Sequence, residues 1–173
     1  MRFVVKEVGI ALAITVIVSL FVRPTVVVGR SMEPTFKQSD CLLLSKTAYD
    51  KEPPQRGDVI VFRSTIKSYD GKDKILIKRV VGLPGEIVSI AEGKVYINYK
   101  PLVDTVSLDG ETTGDIKGIE VPENCYFCLG DNRANSTDSR YESVGVIKKK
   151  DIIGKAVFKF YPFDDVKKID SRI

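Results

Sequence analysis

The chain has 173 residues, 43% hydrophobic and 29% charged, which is enough for one folded domain with its own core. The net charge of +4 is mild, and the longest basic run, residues 148–150, comes with no recognition helix or RNA-binding signature; it reads as a solvated segment, and no nucleic-acid partner is expected. Histidine is absent, which removes Ser-His-Asp and Cys-His catalysis and histidine metal sites together, so neither metal nor cofactor is expected.

Residues 8–22 are apolar apart from Thr15 and Ser19, with Lys6 and Glu7 before them and Arg23 and Pro24 after. Counted from Phe3 the stretch holds about 20 residues, the length at which a helix spans a bilayer. A cleaved leader would need a small-x-small site beyond it; the chain instead runs Leu20-Phe21-Val22-Arg23-Pro24-Thr25. The expectation is a retained single-pass anchor over residues 1–23. Arg2 and Lys6 favour a cytoplasmic N-terminus, which puts a domain of residues 24–173 outside the cytoplasm. The alternative is a buried core helix, but nothing else in the chain is suited to cover it on all sides.

From Thr25 onward the pattern is β. Strands are predicted over residues 26–28, 41–44, 59–62, 75–81, 125–129 and 152–160, with a hairpin of 87–91 and 94–98 about Glu92-Gly93. Leu83-Pro84-Gly85-Glu86 has Pro and Gly at the centre of a type II turn. Residues 64–74 and 104–120 are polar and read as surface excursions. The fold class expected is mainly β, an antiparallel folded sheet or partial barrel behind one N-terminal transmembrane helix.

Cys125 and Cys128 lie three apart in a strand pattern and so point to opposite faces; with Cys41 they read as small packing residues, their redox state left open. Without histidine, a serine needs another base, and a lysine serves if burial lowers its pKa by several units. Lys78 alternates onto one strand face with Leu76 and Val80, and no carboxylate lies within that strand. Ser31 lies in a turn between Gly29 and Pro34. Taken singly, Lys78 also fits a lysine snorkelling from a strand edge, and Ser31 a turn serine bonding its own backbone.

Four segments in order resemble the boxes of bacterial type I signal peptidases: GRSMEPTF (29–36), RGDVIVF (56–62), KRVVGLPGE (78–86) and GDNRANSTDSR (130–140). The resemblance implies a Ser-Lys serine protease that removes signal peptides from exported preproteins after small-x-small sites, working as a monomer at the lipid bilayer. It implies Ser31 as nucleophile and Lys78 as general base, acting through an acyl-enzyme. Ser136 would help hold the lysine amine, and Asp138 and Arg140 would form an ion network together with Arg79; Asn132 and Arg133 match a box without an assigned role. The Ser31 N–H would be one oxyanion donor. Gly29 stands where some relatives carry a serine hydroxyl, which leaves a backbone N–H or a water as the second. An extended substrate would lie between residues 26–28 and 75–77, with Val26, Val27, Phe36, Ile75 and Ile77 as contacts or pocket walls; plain core packing is the alternative for the walls. One anchor and a modest insertion before the last box resemble the short Gram-positive type. Two other classes share parts of the pattern, a Ser-Lys autoprotease of the SOS-repressor kind and an inactive tethered binding module. Cleavage of a precursor in trans separates the three.

Overall fold

The structure, a computed structural model, describes residues 2–103, 105–106, 111–171 and 173. The apolar run forms α1 (Arg2–Phe21). Its two hydroxyls bond inside the helix, Thr15 Oγ1 to the Ala11 carbonyl and Ser19 Oγ to the Val16 carbonyl. Pro24 lacks an N–H and cannot continue a helix, and the chain passes into an edge strand, where a proline is tolerated. This is β1 (Val22–Val26), so α1 ends two residues before the expected anchor boundary and the strand begins four residues before the predicted one. Among the residues whose side chains are described, no helix is long and apolar enough to cross a membrane.

The strands that follow are β2 (Cys41–Ser45), β3 (Val59–Lys67), β4 (Asp73–Gly82), β5 (Ile87–Ala91), β6 (Lys94–Ile97), β7 (Lys100–Pro101), β8 (Ile116–Glu120), β9 (Cys125–Leu129), β10 (Ile147–Lys148), β11 (Ile152–Tyr161) and β12 (Lys167–Lys168). They make two open antiparallel sheets. The larger runs β1-β2-β11-β3-β4-β9-β10, with β12 on β11; the smaller runs β7-β6-β5-β8. The mainly β antiparallel expectation holds. The larger sheet does not close into a barrel among the described residues, since β1 and β10 stand at its opposite edges.

Two predicted excursions are partly strand. The hydrophobic pattern fades after Phe62, yet β3 and β4 continue as a hairpin arm in which Lys67 faces Asp73 in register. Within 104–120, residues 116–120 are β8, paired with β5, while 104 and 107–110 lie outside the described residues. Cross-strand pairing, which the local polarity does not reveal, made both.

Strand alternation sorts the core. Val59 and Val61 of β3 pack with Val27, Met32, Phe36 and Leu42; Ile60 and Phe62 pack on the other face with Val80, Tyr126 and Cys128. A third cluster joins the sheets through Val81, Phe127 and Val88. Cys125 and Cys128 fall in different clusters and are free thiols, as opposite faces require.

Candidate active site

Ser31 sits on a turn that the core holds from beneath. Gly29 opens it with φ +90°, a left-handed conformation that favours glycine. Met32 and Phe36 close it as buried anchors, bonded through Phe36 N to the Met32 carbonyl at 2.9 Å. The loop after β9 then clamps the turn: Asn132 N donates to the Ser31 carbonyl at 3.1 Å and Asn132 Nδ2 to the Arg30 carbonyl at 3.2 Å.

Lys78 reaches this turn from β4. Its Nζ lies 2.6 Å from Ser31 Oγ and donates to the Ile77 carbonyl at 2.9 Å. The residue is 2% exposed. Burial is the largest influence on the ammonium and pushes its pKa down from 10.5 to about 8. Asp138 and Asp131 pull it upward, and Arg140 opposes them, but desolvation prevails.

Each nearby carboxylate has its own arginine. Asp138 takes Arg140 Nε at 2.8 Å and Nη2 at 2.9 Å, and also the Gly130 N–H at 3.0 Å. Arg79 grips Asp131 bidentately, Nε to Oδ1 at 2.8 Å and Nη2 to Oδ2 at 2.7 Å, both side chains essentially inaccessible. The single network expected among Arg79, Asp138 and Arg140 is therefore two pairs, and Arg79 belongs with Asp131. Thr35 Oγ1 adds a 2.5 Å bond to Asp131, tying the nucleophile turn to the same pair. Asp131 escaped the sequence reading, although it stands between Gly130 and Asn132 in the last box.

Ser136 Oγ is buried and has no hydrogen-bond partner among the described residues, so its expected bond to the lysine amine is not formed. It does lie beside the turn: a Cβ built on Gly130 would meet both Ser136 Oγ at 2.2 Å and the Ser31 carbonyl at 2.4 Å.

A groove of about 210 Å³ runs from this centre between residues 25–28 and 75–78. Val26, Val27, Ile75 and Ile77 line it, together with Val61 of β3, which the sequence reading passed over because it reads as core. Phe36 does not line it. At 1% exposure it is a core anchor beneath the turn, so its expected place as a pocket wall is corrected. Both flanks of the groove are unpaired strand edges. Among the described residues β1 pairs only with β2, and β9 begins its pairing with β4 at Arg79, beyond the groove. Val27 spends its backbone groups on Asp40 and Ser39. By alternation, those of Val26 and Val28 face the groove.

Replacing Asn132 by Asp tests the clamp. The side-chain oxygen that accepts from Asn135 N at 3.2 Å is kept, and the donor to Arg30 is lost. Asn132→Asp is expected to cost about 1 kcal/mol of stability and to lower kcat several-fold more than it changes KM. An unchanged kcat means that the clamp does not position Ser31.

Comparison with known proteins places the chain in a family. The family model described as "Signal peptidase, peptidase S26" matches residues 1–161. A signal peptidase I of Bacillus licheniformis is 34% identical over 96% of this chain and 91% of its own length. Signal peptidase I P of Bacillus subtilis subsp. natto is 36% identical over 95% and 92%. Among solved structures, a signal peptidase I from Enterococcus faecalis is 34% identical, covering 60% of this chain and 97% of that one at a TM-score of 0.48. With the family matched along nearly its whole length, the chain belongs to the signal peptidase family, peptidase S26, and is a serine endopeptidase of the signal peptidase I group.

Proposed function

We propose that this enzyme removes signal peptides from exported preproteins after small-x-small sites, with Ser31 as nucleophile and Lys78 as general base. The observation that carries the reading is the 2.6 Å approach of Nζ to Oγ at a lysine whose burial brings its pKa to about 8. Neutral Lys78 accepts the Ser31 proton as Oγ attacks the scissile carbonyl, then returns it to the leaving amine. A water activated by the same amine hydrolyses the acyl-enzyme. The Ser31 N–H supplies one oxyanion donor. With Gly29 bearing no hydroxyl, the second donor is a backbone N–H or a water.

The substrate lies extended in the groove and adds a strand to both flanking edges. The groove is small, about 210 Å³, and Val27, Val61 and Ile77 give it apolar walls, which suits short apolar side chains such as alanine next to the cut. In this reading α1 is a single-pass anchor with a cytoplasmic N-terminus, and the monomeric catalytic domain works on the outer face. Two features support the anchor: Val8, Ile10, Leu12, Val16, Ile17 and Leu20 stand about half exposed or more, and twenty helical residues rise about 30 Å. The residues 2–5 and Ile14 that complete the apolar count have side chains outside the described set.

The test is cleavage of a preprotein with an Ala-x-Ala site in detergent, set against Ser31→Ala. Cutting after that site by the parent alone is the expected result; equal cutting by the variant overturns the nucleophile. Ser136→Ala is a milder test. Its hydroxyl has no partner among the described residues, so the thermal midpoint is expected not to fall, while kcat drops about ten- to a hundredfold if that hydroxyl meets the charged lysine during the cycle. Full activity removes Ser136 from the mechanism.

A further inference from the structure

A second concavity lies away from the groove. It measures about 700 Å³ and shares no lining residue with the Ser31 site. Four lysines surround it: Lys46 after β2, and Lys148, Lys149 and Lys150 at the turn between β10 and β11. What reads as a charge run in sequence is thus folded around a cavity. Asp50 and Glu123 also line it, which leaves a net charge of +2. Among the described residues, none of the four ammonium groups is in an ion pair; Lys46 Nζ donates only to the Ser19 carbonyl, at 3.3 Å. The turn is fixed by backbone bonds, with Lys149 N donating to the Asn124 carbonyl at 2.8 Å and Lys148 in register with Cys125. Ile152 and Ile153 give the cavity an apolar side.

Its place on the chain says what it meets. Lys46 N donates to the Phe21 carbonyl at 2.8 Å, so one wall is bonded directly to the last turn of α1. β1 separates this end from the groove. A concave, net-positive, partly apolar cavity at the end of an apolar helix fits a phosphodiester with glycerol and the first acyl carbons beneath it. Basic clusters next to a membrane helix recognise that chemistry. A zwitterionic headgroup offers the same phosphate but brings a cation that the lysines repel.

We propose that this cavity binds the headgroup of an anionic phospholipid and so holds the catalytic domain against the bilayer. The inference rests on the reading of α1 as an anchor. It gives the domain a second, charge-dependent contact that fixes its tilt and presents the groove to substrate at the surface.

The test uses the full chain in neutral maltoside micelles, followed by amide NMR at Asn124, Lys149 and Gly154. Dihexanoyl-phosphatidylglycerol is expected to give saturable shifts, dihexanoyl-phosphatidylcholine none, and glycerol 3-phosphate at least tenfold weaker binding. K148Q/K149Q/K150Q is expected to weaken the glycerol-lipid affinity more than tenfold, with cleavage of a soluble peptide unchanged. Should that variant fail to fold, Lys46→Gln alone, at an exposed position, is expected to weaken binding several-fold. Equal binding of phosphatidylcholine, or unchanged affinity in the lysine variants, overturns the proposal. Equal binding of glycerol 3-phosphate assigns the cavity to a free phosphate ester instead. Alkaline extraction from vesicles reports separately on α1: a chain that extracts is not anchored, whatever the micelle titration shows.

Discussion

Lys78→Met is expected to reduce kcat/KM by about 10⁴-fold or more, in line with the loss of a nucleophile-activating base elsewhere. The parent should show why. With a pKa of about 8, only about a tenth of Lys78 is neutral at pH 7, so the rate should climb about tenfold between pH 7 and pH 9 and then level. The same group carries a stability signature that also rises with pH. Its folded pKa lies below the unfolded 10.5, so between roughly pH 8 and 10.5 the unfolded chain holds a proton that the folded one lacks, and stability rises with pH across that window. Below it, burying the amine costs the fold on the order of 3 kcal/mol. Lys78→Met removes that cost. It should be at least as stable as the parent at pH 7 and should lose the alkaline rise. An inactive variant that is also much less stable points to collapse of the site and leaves the base unassigned. A rate independent of pH between 7 and 9 argues against Lys78 outright.

Gly130→Ala is expected to be a severely damaging single-methyl change. The added carbon would sit 2.4 Å from the Ser31 carbonyl oxygen and 2.2 Å from Ser136 Oγ, closer than real carbons approach. Ser136 can yield by rotating. The Ser31 carbonyl cannot, because it is main chain, already bonded to Asn132 N, on a turn anchored by Met32. Overpacking of this kind costs about 1–3 kcal/mol. The greater effect is on chemistry: a shift of about 1 Å at the nucleophile is worth about a hundredfold in rate. Loss of kcat with the fold retained, seen as an unchanged strand signal and a midpoint lowered by several degrees, is the expected outcome. Full activity would show that the turn is not held where the structure puts it.

How much of this was legible in the chain follows from what each residue depends on. Lys78 and Ser31 could be paired only through the order of the boxes, since a strand lysine and a turn serine are each ordinary alone. The antiparallel β class followed from alternation and turn residues. β8 and the far end of the β3–β4 hairpin did not, because their polar sequences become strands only when a neighbour supplies hydrogen bonds. Asp131 was hidden for a related reason: what matters about it is the buried fork of Arg79, fifty-two positions away, and no local pattern reports such a pairing. Phe36 and Val61 exchanged roles for want of depth information. Both are apolar residues near the site, and only the fold decides which one reaches the groove.

The two unpaired strand edges bordering the groove have a consequence for which proteins are spared. An edge reads main chain, and a donor or acceptor already engaged in a helix or sheet has nothing to offer it. On the proposed binding mode, a small-x-small sequence inside a folded domain is invisible to the enzyme however well its side chains fit. The stretch ahead of a newly exported domain is open to it only while it remains unstructured. Selectivity would then come as much from the substrate's folding clock as from the residues beside the bond, and a slow-folding passenger would risk cuts that a fast-folding one escapes.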